Sequence, residues 1–463
     1  MSFGADLGYE DRPGRRPPDP RATRVWWLAP AAIGWLGAGV VLLTLGVVAR
    51  RPDVVAIGVP LLLGLAWGTS RRPQLVPVVR LTGDDQPTGS TGSTGTVEAE
   101  VEVAPAEQPT VIALRVRAPG HRAAEALVVA ERRTLGVSMR TVRTGRRALF
   151  GLSHRAVGAD GLLSTVSAGD RPLTMTILPS ARALEDLPLP FRLQGLTGPH
   201  TSRRAGSGGD LHDVAVFAPG DRLRRIDWRV TARLNTAPAT PGPGAPRGAA
   251  IDRLYVRRTF ATADATVMLV IDSRDQVGPR VSTWGDATRL REDETTSLDV
   301  ARHAAISLAR QYLSAGDRVG LEDLGRLRRP APPAGGRRQL QLLTQQLALA
   351  EPEGEPTRRQ RIPRLPSGAL IVVFSTFLDD DAAAMARTWR RAGHRVLAVD
   401  TLPTLLISGI PERLYVAYRI VAMERTDRLQ QLAGAGVETL AWMDQTTDPG
   451  VRLTALGQLR GRR

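Results

Sequence analysis

The sequence has no cysteine and no lysine. The first absence excludes disulfides, thiolate metal sites and cysteine nucleophiles. The second means that all 62 basic residues are arginine, set against 46 acids for a formal charge of +16. Such an excess invites a phosphate-binding reading, because arginine pairs well with phosphate. The arginines are spread along the chain rather than gathered in one patch, and a coding bias toward Ala, Gly, Pro and Arg accounts for them more simply. No specific nucleic-acid partner is expected. Aromatics are also scarce, at 4%, so cores must be built from Leu, Val, Ala and Ile. At 463 residues there is room for two or three domains.

Residues 1–24 are polar, rich in Pro and Gly, and read as a disordered basic tail. Residues 25–72 hold two uncharged runs, Val25–Ala49 and Val54–Gly68, separated by Arg50-Arg51-Pro52-Asp53. The first is long enough for a hydrocarbon core of about 30 Å, with Trp26 and Trp27 at its interface. The second reads as the return arm of a transmembrane α-hairpin. Arginines flank the outer ends more heavily than the turn, which predicts a multi-pass membrane protein with both termini cytoplasmic.

Within residues 73–180, Thr82–Thr96 reads as a flexible linker. Short runs such as Val97–Val103 then alternate with period two, predicting a small β-sandwich. Residues 181–262 form a linker and signature segment with a mobile insertion at 236–250; Pro179–Pro190 reads as a connecting helix, and Ala205–Asp210 as a glycine hinge. Residues 263–444 alternate strand and helix, as in a mostly parallel sheet covered on both faces. Residues 445–463 read as a basic C-terminal tail.

The signature centres on Pro219–Arg233. Pro219-Gly220-Asp221 is a turn signal, followed by Arg222, Arg224, Arg225, Arg229 and Arg233 among Leu223, Ile226, Trp228 and Val230. Asp221 and Asp227 stand where they can pair with arginines. The mixture predicts a partly buried network in which Asp227, Trp228 and Arg233 stabilise the fold. Gly220, Asp221, Arg224, Ile226, Asp227, Trp228, Ala232 and Arg233, after Gly206-Ser207-Gly208, resemble the signature of the bacterial domain-of-unknown-function 58 family. The likeness runs more loosely from about Leu75 to about Asp444, and departs from the family pattern at Asp210–Val214.

The α/β region resembles a Rossmann-like von Willebrand factor A-type domain. That resemblance implies a metal-ion-dependent adhesion site with Asp-x-Ser-x-Ser after the first strand. Here Asp272 matches, but Arg274 and Gln276 replace the serines and Thr376 replaces a later carboxylate. Mg²⁺ wants near-octahedral oxygen ligands, so the site is expected to be degenerate, with no metal, cofactor or catalytic residue. Asp379, Asp380 and Asp381 read as the acidic first turn of a helix. The six histidines lack metal-motif spacing.

By resemblance, the partners implied are a MoxR-type AAA+ ATPase and a transglutaminase-like membrane protein. The function expected is a membrane-anchored adaptor, not an enzyme, acting with such an ATPase on a client. Two alternatives are an enzyme using Asp221, Asp227 or Asp272, and a membrane-surface binder of nucleic acid or anionic lipid.

Overall fold

The computed structural model describes residues 26–71, 73, 76–83, 88–89, 95–158, 160–169, 172–193, 198–235, 253–285, 290–326, 329–353, 362–444 and 446–458. The N-terminal tail, the 236–250 insertion and most of the Thr82–Thr96 linker lie outside these residues. The chain divides into two compact units. The first comprises residues to Pro87, Thr96–Arg140 and Arg146–Thr176; the second comprises Thr88–Gly95, Thr141–Gly145 and Ile177–Arg463.

In the first unit, helices Pro30–Val48 and Pro52–Ser70 are long and apolar enough to cross a membrane. Each begins on a proline, whose missing N–H is no loss in a first turn. They run antiparallel, with Gly46 against Val55, Gly58 against Leu42 and Gly39 against Leu62. Small residues at these crossings let the backbones approach closely. The indole of Trp26 is not an interface anchor. Residues Trp26–Leu28 form a strand paired with Leu163–Thr165, and Trp26 is buried against Ala156 and Leu163.

Two sheets complete this unit. In Gly95–Val103 the alternation places Val97, Ala99, Val101 and Val103 inside, with the intervening glutamates outside. The longest strand of the unit, Gly145–Gly158, pairs with Thr110–Arg117. It has no regular alternation in its sequence and was not legible there.

The second unit is built on β1 (Thr266–Ile271), β2 (Arg318–Asp323), β3 (Ala331–Ala334), β4 (Leu370–Ser375), β5 (Arg395–Asp400) and β6 (Glu438–Ala441). The sheet order is β3-β2-β1-β4-β5-β6, all parallel except edge strand β3. Its helices are α1 (Ser297–Ser314), α2 (Arg337–Ala348), α3 (Asp381–Arg391), α4 (Glu412–Gly434) and α5 (Pro449–Gln458). Val267, Leu269 and Ile271 of β1 face a core shared with α1, α2 and Leu453 of α5. Val270 faces the other core, with Ala382, Ala386, Trp389 and Leu432 from α3 and α4. Burial on both faces is why these strands read as unbroken apolar runs.

The C-terminal stretch is not simply a tail, since α5 docks through Leu453, which is wholly buried. Pro179–Pro190 is not a helix. Residues before proline are biased away from helical angles, and this stretch has no regular secondary structure, with Leu184, Leu187 and Leu189 against the main core and Pro188 O accepting from Tyr312 Oη at 2.6 Å. The glycine stretch is not a hinge either; it lies within strand His200–Val216, paired irregularly with Tyr255–Ala263. A Cβ on Gly206 would come within 2.4 Å of Ala261 Cβ, so close strand approach explains that glycine.

Candidate functional site

β1 and β4 are neighbours, but α1 packs on one face of the sheet and α3 on the other. Where crossovers diverge in this way, the carboxyl ends of the strands bound a crevice. Asp272 follows β1 there, its N–H bonded to Phe374 O at 2.9 Å, and Ser375 Oγ donates to Asp272 Oδ2 at 2.8 Å.

Arg274 turns back over this point. Its Nε and Nη2 fork onto Asp272 Oδ1 and Oδ2 at 2.8 and 2.9 Å. Nη1 reaches Asp381 Oδ2 at 3.0 Å, and Nη2 reaches Asp379 Oδ1 at 3.1 Å. One buried guanidinium thus ties together three carboxylates, one after β1, one in the loop after β4 and one at the start of α3. Asp379 and Asp381 are therefore more than dipole-complementing acids, and Asp380 pairs with Arg428 of α4. Phe377 holds the turn between them at φ 52°, a left-handed conformation rare for a bulky residue. Its N–H donates to Ser375 Oγ at 3.1 Å and its carbonyl accepts from Arg428 Nη1 at 2.8 Å, which fixes that conformation.

Charge is distributed unevenly here. Burial alone would lower the Arg274 pKa, but Asp272 and Asp379 together raise it above the ordinary arginine value. Burial pushes the neighbouring Asp275 carboxyl up to about 7, and the charges of Asp272 and Asp379 add to that push while Arg274 opposes it. Thr376 Oγ1 donates to Asp275 Oδ2 at 3.5 Å. Burial likewise raises Asp323, which accepts from Ser273 Oγ at 2.5 Å. Arg425 of α4 pairs with Asp400 and donates to Thr376 O at 2.8 Å. Among the described residues, no group of three or more His, Asp or Glu is arranged to hold a metal ion.

Gln276 points away from Arg274, with Nε2 donating to Thr296 Oγ1 at 2.7 Å. Thr296 caps α1, and the cap is joined to a buried charge network. Asp299 Oδ1 accepts from the N–H and hydroxyl of Thr144, each at 2.7 Å, while Arg143 lies 3.0 Å from Oδ2. Arg302 donates to Thr144 O at 2.8 Å and also to Ala350 O. Gly145, at φ 98°, closes this cradle; a Cβ there would lie 3.1 Å from Arg302 Nη1. Asp299 is fully buried, yet Arg302 and Arg143 outweigh the desolvation and hold its pKa below the ordinary value. The Thr296-x-x-Asp299 cap is a readable sequence signal; its distant partners are not.

The signature segment is arranged differently from the expected buried network. Gly220 takes φ 102° in the turn. Asp221 accepts from Ala218 N at 2.9 Å and Arg258 Nη2 at 3.2 Å, and these bonds lower its pKa. Asp227 caps helix Trp228–Asn235, accepting from the N–H groups of Arg229 and Val230 at 3.1 Å each, and pairs with Arg257 rather than Arg233. Ile226 bridges to Val256. Trp228 is 61% exposed, and Arg224 and Arg233 are exposed as well. The indole misses the core because Thr231 is the helix residue that turns inward, accepting from Tyr255 N at 3.0 Å.

Residues 246–404 match the family described as "Protein of unknown function DUF58". This segment is a DUF58 domain. The match takes in Asp272, Arg274, Gln276 and Thr376, whereas the Gly220–Arg233 signature precedes it. No curated protein matches the chain in sequence. A crystal structure of the ApaA protein from Bordetella pertussis aligns over 22% of this chain and 92% of its own, at 11% identity and a TM-score of 0.14. A likeness at that level carries no argument about the DUF58 domain.

Proposed function

We propose that this protein is a membrane-anchored adaptor. In this reading the hairpin crosses the bilayer with both flanks cytoplasmic and holds a β-sandwich and a von Willebrand factor A-like domain on that side. The sheet order, with one antiparallel edge strand, supports the second assignment. A MoxR-type AAA+ ATPase is the partner implied by resemblance, with a client remodelled between them. The observation that carries the reading is the signature segment, where Trp228 and several arginines face solvent instead of a core. An aromatic with arginines around it is the usual make-up of a binding hot spot. The sheet top supports it too, because Arg274 fills the point where the carboxylates converge and leaves a cation no comparable place.

Purification of the full chain from gently solubilised membranes, together with a co-expressed MoxR-type ATPase, tests the proposal. Co-purification is expected; its absence with and without nucleotide overturns the choice of partner. Reporter fusions after Arg80 and near Arg463 should both read cytoplasmic, and a periplasmic signal from either overturns the topology. One observation favours an enzyme instead, namely Asp275 with its pKa near 7, a value suited to a general base. Loss of a measured hydrolytic activity in Asp275→Asn, with folding intact, would establish that reading.

A further inference from the structure

The helix Trp228–Asn235 presents a face that nothing in the described structure covers. Thr231 turns inward and is 1% exposed. At about 100° per residue, Arg229 and Arg233 fall on the opposite side, one turn apart, as a single outward ridge. Trp228 and Leu234 flank that ridge, 61% and 53% exposed, and Leu223 adds a third apolar group, 70% exposed, from the preceding turn. Arg224, Arg229 and Arg233 make no ion pair among the described residues, while the segment's two acids are already engaged, Asp221 by Arg258 and Asp227 by Arg257. Among the described residues the face is therefore cationic without a counter-charge of its own, and apolar at its margins.

We propose that this face is the docking site for an acidic helical segment of a partner protein, one with carboxylates a turn apart and large aliphatic side chains beside them. The inference rests on the adaptor reading and specifies the chemistry of its partner. Two arginines one helical turn apart match two carboxylates one turn apart, and each guanidinium can take a carboxylate in a fork. Trp228 and Leu234 would close over the partner's aliphatic groups and keep water from those pairs. A lipid surface fits less well. An interfacial helix turns an apolar face to the bilayer with its basic residues at the sides, and here the order is reversed. Nucleic acid fits less well too, since exposed Leu223 and Leu234 offer phosphates nothing to bury.

The test uses the full chain in phosphatidylcholine nanodiscs and a fluorescent helical peptide carrying Glu at i and i+4 with Leu beside them. Saturable binding is expected, weakened about tenfold or more in Arg229→Glu/Arg233→Glu and in Trp228→Ala, and falling as salt is raised. The same peptide with Gln for Glu should bind poorly. Unchanged melting temperatures will show that the variants fold, as exposed and unpaired arginines predict; Arg229→Gln/Arg233→Gln is the milder second variant. The proposal is overturned if the Gln peptide binds equally, if the variants bind as well as the native chain, or if no peptide binding occurs. It is also overturned if the ridge instead captures phosphatidylglycerol vesicles or single-stranded DNA in an arginine-dependent way. If the native chain and both charge variants retain the ATPase equally, the adaptor reading survives and this surface assignment falls.

Discussion

Asp275 offers the sharpest test of the sheet top. It stands beside a guanidinium already held by three other carboxylates, and burial, reinforced by Asp272 and Asp379, pushes its carboxyl up to about 7. In an unfolded chain the same group titrates near 3.9. Between these values the folded state binds more protons than the unfolded one, so stability falls as pH rises from about 4 to about 7. A displacement of about 3 pKa units corresponds to about 4 kcal/mol, lost in full by pH 8. Carboxylates with lowered pKa values, such as Asp299 and Asp221, act in the opposite sense, and their contribution disappears only in stronger acid. Asp275→Asn should therefore stabilise the α/β unit most at pH 8, by only about 1.5 kcal/mol at pH 5, and flatten the pH dependence between. Hydrogen exchange of the β1 amides, compared between native and variant chains at each pH, reads the opening of this unit alone. If the native chain is as protected at pH 8 as at pH 5, or if Asp275→Asn lowers protection equally at both, the account of this carboxyl is wrong.

The remaining expectations concern neighbouring networks. Arg302→Ala leaves Asp299 buried with half its counter-charge and should cost about 3–5 kcal/mol, seen as a lowered unfolding midpoint of the full chain in detergent. Calorimetry with millimolar Mg²⁺ or Mn²⁺ should give no saturable heat for the native chain, because Arg274 already neutralises the converging acids; binding abolished by Asp272→Ala would refute this. Asp227→Ala removes a helix cap and should cost about 1 kcal/mol. Trp228→Ala, at an exposed position, should change stability by less than about 0.5 kcal/mol in the same unfolding assay.

Much of the architecture was legible because it rests on local pattern. The two uncharged runs, the alternating Val97–Val103 and the apolar strands Thr266–Ile271 and Arg395–Asp400 all appear close to where periodicity placed them. Gly145–Gly158 and the first half of α4 escaped notice for the same reason. The strand lacks regular alternation, and the start of α4 leaves Val416, Ile420 and Met423 exposed, so no inward stripe marks it.

The sequence by itself determined which residues stand at the sheet top. Arg274 and Gln276 follow Asp272 just after one apolar run, and Thr376 follows another, and that much is visible in the residue string alone. Only tertiary structure decided what those residues do. Asp272 and Asp381 are more than a hundred residues apart, and the β1–β4 pairing brings them to one guanidinium. The same holds, in the opposite sense, for Trp228. Its composition pointed inward, but an eight-residue helix with one small inward residue, Thr231, leaves the indole on the surface. Burial depends on what lies across from a side chain, and that is set by contacts distant in sequence.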